Sequence, residues 1–440
     1  MTPLLAAGLV LVASGGGLAC GRRTLRLGLL AQSAGCLAVG VAGGWAATTD
    51  GSAGSGFTSD LTPRLGIDGL SGVFLAALGI VGAPALVYAS SALAPTLRGR
   101  AIGASTALFV GCLAGVLCAR DPLTFLLFWE LMTLVPAAIV LIGRSDEMAR
   151  RTVFTYVGIT HLGSVGVWVA VLLLAREGAF GDADAITRGS TVQTVVALTA
   201  LVGFGTKAGV MPFHAWLPRT HPIAPAHVSA LMSGVMISVG VYGLVRVLVE
   251  WLGVVPAWVG VLTLALGALS AVGGIAHALF QRDLKRTLAY SSVEHMGVIL
   301  LALGASLVLR PRGEETWAAI ALGAALLQTV NHAAFKALLF LAAGTFERSV
   351  GSLELDRLGG LLRRMPWTGG AFALGCAAIV ALPPLNGFAS EWLTLQSLLR
   401  VPASGGVADG VAGAIALGAL ALTAALAVLC FVQVAGLVLL

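Results

Sequence analysis

The chain has 440 residues, of which 58% are hydrophobic and only 10% are charged, and its mean hydropathy is +0.96. Because soluble domains carry about 25% charged residues, a soluble fold could not cover this much apolar surface, and lipid is the expected solvent. The net charge of +6 comes from residues in short loops between apolar stretches, so it does not indicate nucleic-acid binding.

In chain order, the sequence predicts about 13 transmembrane helices, because each crossing needs about 20 apolar residues. The first stretch is predicted to be a spanning helix rather than a signal peptide, since its positive charges follow the apolar residues. The polar stretches between the spans are too short to fold as a soluble domain. The predicted spans are 3–20, 27–47, 68–90, 101–119, 121–142, 153–175, 192–213, 224–249, 256–280, 287–309, 316–346, 367–393 and 409–440.

Lys and Arg residues concentrate in alternate loops, and this pattern predicts the orientation of the chain. The N-terminus is expected outside and Leu440 on the cytoplasmic side, in the plasma membrane of a bacterium. The last span runs to Leu440 without a polar tail, so we expect a longer natural chain to be cut here. The basic loops hold Arg22, Arg23, Arg26, Arg98, Arg100, Arg144, Arg150, Arg151, Arg219, Arg282, Lys285, Arg286, Arg348, Arg357, Arg363 and Arg364.

Four ionisable residues lie well inside predicted spans, where a charge costs at least about 2.5–3.5 kcal/mol on insertion scales. A structural ion pair or a snorkelling side chain is the alternative interpretation, and it suits Arg246 and Glu250 near the outer end of their span. The four comprise two acids and two bases, a combination that favours a functional role. The four residues are Glu130, Lys207, Lys336 and Glu391.

A lysine and a carboxylate buried together can store a proton. Burial favours the neutral amine and a nearby carboxylate favours the ammonium, so moving the carboxylate makes the lysine take up or release a proton. Histidines can extend such a relay, although a plain polar contact between helices explains any single one nearly as well. His332 and Lys336 are spaced i,i+4 and share a helix face. The relay candidates are His161, His227, His277, His295 and His332.

Two of the four residues lie beside proline-rich interruptions of their spans. Lys207 precedes the first interruption, and Glu391 follows the second. A proline inside a span frees backbone groups, which protein or water must satisfy. Paired broken helices in the two halves of a transporter indicate an inverted repeat with its site at the membrane midplane. The residues predicted to break the helices are Pro212, Pro383, Pro384 and Gly387.

Cysteines and histidines give no indication of a metal or cofactor. The six cysteines include no C-x-x-C pair and lie within or at the ends of apolar spans. His214 and His221 lie in a proline-rich loop without a third ligand. The sequence also has no Gly-rich dinucleotide loop, so we expect no cofactor, no metal and no catalytic redox centre on this chain.

Five stretches of the sequence carry a recognisable pattern: Leu65–Ser71, Phe128–Glu130, Gly205–Pro218, Asp283–Ser292 and Asn331–Phe340. Together they resemble the antiporter-like membrane subunits shared by respiratory complex I, the Mrp cation/proton antiporters and the membrane-bound group 4 hydrogenases. The resemblance covers about Leu65 to Leu440. Two further stretches, His221–Met236 and Pro383–Trp392, look most like the B component of the hydrogenase-4/formate hydrogenlyase branch.

The resemblance implies an all-α fold of 14 core helices with two inverted five-helix repeats and broken helices. We divide the chain accordingly into N-terminal helices (1–100), a first repeat (101–250) and a second repeat (251–440). By motif, Glu130 and Lys207 would form the first half-channel pair, with Lys336 as the central lysine and Glu391 as the terminal acid of the second half-channel.

Two departures from the family pattern concern the proton path. Many relatives carry a lysine where this chain has Ser238, and many of the hydrogenase branch carry one near Gln433. Ser238 can pass a proton through a bound water but cannot store one, so the link between the half-channels is expected to be rewired.

Three functions remain open on the sequence. The first is a proton-translocating, non-redox subunit of an oxidoreductase complex, either NADH:quinone oxidoreductase-like or a hydrogenase, with other membrane and peripheral subunits as partners. The second is a cation/proton antiporter subunit of Mrp type, which would also move Na+. The third is a membrane coupling subunit of a non-redox enzyme, such as an inorganic-carbon uptake system. The hydrogenase-like motifs favour the first.

Overall fold

The computed structural model describes residues 2–49, 51–403 and 405–440, and these are helical almost throughout. A small antiparallel sheet, β1 (Ala53–Gly54) and β2 (Gly66–Ile67), lies in the loop between the second and third helices. The α-helices are α1 (Thr2–Ala19), α2 (Leu25–Thr48), α3 (Gly69–Ala92), α4 (Leu97–Cys118), α5 (Pro122–Gly143), α6 (Glu147–Arg176), α7 (Thr191–Ala208), α8 (Leu217–Thr220), α9 (Ala226–Leu231), α10 (Ile237–Val245), α11 (Ala257–Leu279), α12 (Leu284–Leu309), α13 (Glu315–Val350), α14 (Leu361–Arg364), α15 (Pro366–Ile379), α16 (Asn386–Leu398) and α17 (Val407–Leu439).

Twelve helical segments of the described residues are long and apolar enough to cross a membrane, which confirms the predicted polytopic all-α fold. The sequence predicted about 13 spans. The prediction at 367–393 falls on α15 and α16, which have 14 and 13 residues. Neither helix reaches the length of about 20 residues that one crossing needs, and an irregular segment separates them.

Two helical segments form the centre of the molecule. One is Ala226–Trp251, in which π-helical turns at Met232–Met236 and Arg246–Trp251 continue α9 and α10; the other is Leu284–Arg312, which contains α12. Their most apolar windows are fully buried, whereas only 33% and 39% of the corresponding windows of α1 and α17 are buried. Polar side chains on the two central segments are therefore enclosed by protein rather than by lipid.

The first helix break follows α7. Gly209 ends the helix in the left-handed conformation with φ +78°, and the Met211–Pro212 peptide bond is cis. The Met211 N–H, which has no helical partner, donates to Ser270 Oγ at 3.0 Å. The interruption is thus satisfied inside the protein, as a break at membrane depth requires.

The second break separates α15 from α16 and contains the cis Pro383–Pro384 peptide bond. Gly387 lies in the first turn of α16, where an added Cβ would stand 2.3 Å from the carbonyl oxygen of Ala378. Only glycine lets α16 approach the end of α15 this closely.

A cluster of matched charges joins the start of α3 to the central segment. Arg246 binds both Asp68 and Glu250, and Arg120 lies 3.4 Å from Asp68. The Phe57 ring covers the two guanidinium groups at 4.9 and 4.5 Å. Although burial opposes its charge, Arg246 and Arg120 lower the pKa of Asp68 to about 2. The ion pair expected for Arg246 and Glu250 is present and belongs to this larger cluster.

Candidate functional site

Glu130 lies on α5 at the perimeter of the chain, where Trp168 of α6 is hydrogen-bonded to its carboxylate and His161 of α6 lies beside it. Trp168 Nε1 donates to Glu130 Oε1 at 2.9 Å, and His161 Nε2 lies 3.3 Å from Oε2. Trp168 and His161 are two helical turns apart, so they share one face of α6. The side chains of Glu130 and His161 are 20% and 40% exposed, so both lie near the surface of the chain, although the Oε2 atom of Glu130 is covered.

Lys207 occupies the last turn of α7, just before the first break, and is buried. Its amine donates to Thr133 Oγ1 and lies 5.7 Å from the centre of the Trp129 ring. Thr133 follows Glu130 by nearly one turn on α5. Across the described ranges, Lys207 and Glu130 make no ion pair within 4.0 Å. The two predicted partners are therefore neighbours around α5 whose direct contacts are with other residues.

Lys336 lies on α13 with no exposed surface. Its amine donates to the Leu288 carbonyl at 2.9 Å and to the Ser291 hydroxyl, both on α12. These acceptors are neutral, as is the Thr133 hydroxyl that binds Lys207. Lys207 and Lys336 thus both bind neutral oxygen atoms.

A line of hydrogen bonds leads from α12 to the second break. His295 Nδ1 lies 3.2 Å from Gln328 Nε2, and Ser390 donates to the other end of the Gln328 amide. Asn331 Nδ2 in turn donates to Ser390 Oγ at 2.9 Å, and Asn331 accepts from Asn386 Nδ2 at 3.1 Å. Amide, hydroxyl and imidazole groups therefore connect three helices without a charged pair.

His332 and Glu391 lie on either side of this line. His332 is fully buried, and neither of its ring nitrogens has a hydrogen-bond partner among the residues described. Its ring lies 5.7 Å from that of His295, between centroids. Glu391, on α16, faces a narrow space between α12, α15 and α17. The structure therefore gathers Lys336, His332, His295 and Glu391 in one region.

Glu294 is an acid of this region that the sequence analysis missed. It lies on α12 with 2% of its surface exposed, and its Oε2 is 3.6 Å from His295 Nε2. It lines the same narrow space as Glu391. The rule that selects Glu130, a carboxylate inside a predicted span, would also have selected Glu294.

Two other relay candidates lie on the central segment and make local contacts. A ring nitrogen of His227 is 3.3 Å from the Thr106 hydroxyl. Ser238 donates to a backbone carbonyl one turn earlier in its own helix at 2.9 Å. A polar link from this segment to α12 is instead made by Ser233 and Ser292, whose hydroxyl oxygens are 2.9 Å apart.

The site offers proton-transfer groups rather than metal ligands. Across the described residues, no group of three or more His, Cys, Asp or Glu side chains could hold a metal ion. Amines without a counter-charge, imidazoles and hydroxyls can each gain, lose or pass a proton.

These features define a polytopic membrane protein with two groups of ionisable side chains on its helices, each group close to a broken helix. The chain belongs to the family described as NADH:quinone oxidoreductase/Mrp antiporter, TM, whose model matches residues 119–415. This confirms the family predicted from the motifs.

Relatives come from several kinds of complex. Hydrogenase-4 component B of Escherichia coli (strain K12) is 41% identical over 341 residues, covering 76% of this chain and 51% of that protein. A probable K(+)/H(+) antiporter subunit of Rhizobium meliloti (strain 1021) is 33% identical, covering 76% of this chain and 33% of that protein. The chain thus spans about half the length, or less, of these relatives.

The fold is also that of solved membrane complexes. A chain of respiratory complex I from Thermus thermophilus with bound NADH superimposes with a TM-score of 0.77 and 25% identity, covering 98% of this chain and 88% of that one. The two inverted repeats implied by the family, with boundaries at 101–250 and 251–440, stay a prediction.

Proposed function

We propose that this chain moves protons across the plasma membrane of a bacterium as the antiporter-like membrane subunit of an energy-converting complex. The observation that carries the proposal is that two buried lysines, Lys207 and Lys336, bind neutral oxygen atoms rather than carboxylates. A buried ammonium with no carboxylate in direct contact is costly, so each amine can alternate between its neutral and charged forms. A proton carrier needs that property.

In the first half-channel, Glu130 controls whether Lys207 holds a proton. His161 and Trp168 hold the Glu130 carboxylate on the α6 side. A shift of the carboxylate toward Thr133 and Lys207 stabilises the ammonium and draws a proton in, and its return releases that proton. Because Glu130 lies at the perimeter of the chain, a neighbouring subunit can drive this shift.

In the second half-channel, Lys336 passes its proton toward Glu391. His332, one turn before Lys336, and His295 have ring nitrogens free of hydrogen-bond partners among the described residues. Imidazoles in this state can accept a proton and pass it on. The hydrogen bonds of Gln328 then lead to α16, where Glu391 is the terminal acid.

The connection between the halves replaces a family lysine with serine. Ser238 is buried and binds its own helix backbone, so it supplies no storage site. The Ser233–Ser292 contact, next to the Ser291 that binds Lys336, is the connection we propose instead. Hydroxyl groups can relay a proton but cannot store one. Transfer between the two half-channels must therefore occur in one concerted step.

We assign the chain to a complex of the hydrogenase-4 or complex I type, with its N-terminus outside and redox chemistry confined to partner subunits. The 41% identity to hydrogenase-4 component B supports this choice. The identity to a probable K(+)/H(+) antiporter subunit favours Mrp-type exchange as the second candidate. On the second candidate, Na+ or K+ would be the counter-cation.

The test uses inverted membrane vesicles from cells that express the complete complex, with acidification of the vesicle interior followed by a fluorescent amine. Acidification on addition of formate, hydrogen or NADH, abolished by an uncoupler and by deletion of this chain's gene, is the expected result. Acidification changes that depend on added Na+ or K+, and not on a redox substrate, would show Mrp-type exchange instead.

A further inference from the structure

Glu294 is a buried acid for which the path above has no role. One of its carboxylate oxygens, Oε2, has no hydrogen-bond partner among the described residues, although only 2% of the residue's surface is exposed. Buried polar atoms are nearly always hydrogen-bonded, so an unpartnered carboxylate oxygen indicates that a ligand or proton completes the site.

A second unpartnered group faces the same place. Thr423 of α17 is 1% exposed, and its hydroxyl has no partner among the residues described. Glu294, Glu391 and Thr423 all line one narrow space between α12, α16 and α17, beside the end of α15. The space leaves no room for a water molecule. The partner of the oxygen atoms that line it must therefore be smaller than water, such as a proton.

We propose that Glu294 and Glu391 form a carboxyl pair that holds one proton between them, beside the unpartnered hydroxyl of Thr423. Two carboxylates in one enclosed site cannot both be ionised at low cost, and one proton between them removes that repulsion. The pair is then a proton store at the second helix break. This inference rests on the proposed function for the direction of transfer.

The groups around Glu294 can deliver that proton and compensate the negative charge that remains. His295 can deliver it, since its Nε2 lies 3.6 Å from Glu294 Oε2, and the imidazolium returns to neutral imidazole when it does. Lys336 supplies the positive charge that stabilises the remaining carboxylate. The titratable groups that face Glu294 are His295 on α12, Lys336 on α13, Glu391 on α16 and Cys430 on α17.

The experiment is a pH titration by infrared difference spectroscopy on the complete complex, purified through a tag on this chain. In the unmodified complex we expect protonated-carboxyl absorption that is lost in two coupled steps. Glu294→Gln and Glu391→Gln should each leave one carboxyl that titrates in a single step. Glu315→Gln, an exposed acid at the start of α13, is the matched control and should change neither step.

A further variant tests the hydroxyl. Thr423→Val keeps the shape of the side chain, so the fold should persist. Both carboxyl steps should remain, with their midpoints displaced, because a methyl group replaces the hydroxyl dipole in the enclosed space that the two carboxyl groups share.

Three outcomes would overturn the pair. One is a Glu294→Gln spectrum identical to that of the unmodified complex, and another is an unshifted Thr423→Val titration. The third is loss of the protonated-carboxyl band on adding Na+ at constant pH, which would mean that a dehydrated cation occupies the space. If the two coupled steps appear in a complex that translocates no protons, the pair stands and the proposed function fails.

Discussion

Buried charge is arranged in two different ways in this molecule. In the cluster at the start of α3, Arg246 binds the carboxylates of Asp68 and Glu250 directly. Lys207 and Lys336, buried to the same degree, bind only hydroxyl and carbonyl oxygens among the partners described. Matched charges hold one protonation state and fix a structure, whereas an amine with neutral partners keeps two states within reach. Burial of an ionisable residue therefore does not by itself distinguish a structural charge from a mobile proton.

The largest expected effect concerns the buried lysines that bind only neutral oxygen atoms. We expect Lys207→Ala to abolish or strongly lower proton translocation while the complex still assembles, because the amine has no counter-ion left unpaired by its removal. Pumping in proteoliposomes and subunit composition on a native gel measure the two properties.

Lys285 supplies the matched control. It is also a buried lysine, but it binds Glu347 at 2.7 Å. Lys285→Ala should lower the amount of assembled complex more than the pumping of each complex. Normal pumping by Lys207→Ala would remove Lys207 from the path.

The next substitution removes one charge from the ion-pair cluster at the start of α3. Arg246→Met should destabilise the protein by about 1–3 kcal/mol, because it removes charged hydrogen bonds to Glu250 and Asp68, whose side chains are 39% and 29% exposed. Thermal unfolding of the purified complex measures this. An unchanged melting temperature would show that Arg120 alone compensates the cluster.

Glu130 belongs neither to the directly paired charges nor to the lysines with neutral partners. It is a half-buried acid that contacts α6 and, within the part of the chain that the structure describes, no lysine. Glu130→Gln should weaken pumping more than Glu130→Asp, because the aspartate retains the charge that acts on Lys207. Trp168→Phe, which removes only the indole donor, should have the smallest effect of the three variants. Equal rates in all of them would mean that Glu130 serves packing alone.

The matched cluster also predicts a pH dependence of stability. The pKa of Asp68 is about 2 in the folded chain against about 3.9 in an unfolded one, so ionised Asp68 stabilises the fold above about pH 4. That contribution is lost as the pH falls toward 2. The difference in melting temperature between the unmodified protein and Asp68→Asn should be constant from about pH 5 to 8 and shrink below about pH 4. A difference that grows on acidification would contradict this assignment.

The smallest effect is expected at Ser238. We expect Ser238→Lys to be tolerated, because the resemblance to the family implies a lysine at this position and the carbonyls of the neighbouring π-helical turn can accept its hydrogen bonds. In a dry apolar site the same change should destabilise the protein by several kcal/mol. Failure to express or assemble would place position 238 outside the polar axis.

The fold was predictable because spans depend on local runs of apolar residues, and the two breaks because proline and glycine act locally. Contacts between distant segments were not. Nothing near Lys207 in the sequence points to Thr133, since that contact depends on which faces of α5 and α7 meet. Lys285 looked like a loop charge, but it lies buried in the first turn of α12 against Glu347. Glu294 was within reach of the same rule that found Glu130.

The position of Glu130 at the rim of the chain has a consequence for chemical labelling. A lipid-soluble carbodiimide attacks protonated carboxyl groups that it can reach from the surrounding hydrocarbon. Glu130, 20% exposed beside the partly exposed His161 and Trp168, lies closer to the surface than Glu294, which is 2% exposed on α12. Modification should therefore begin at Glu130, and a subunit docked against α6 should shield it, so the order of labelling reports whether that neighbour is in place.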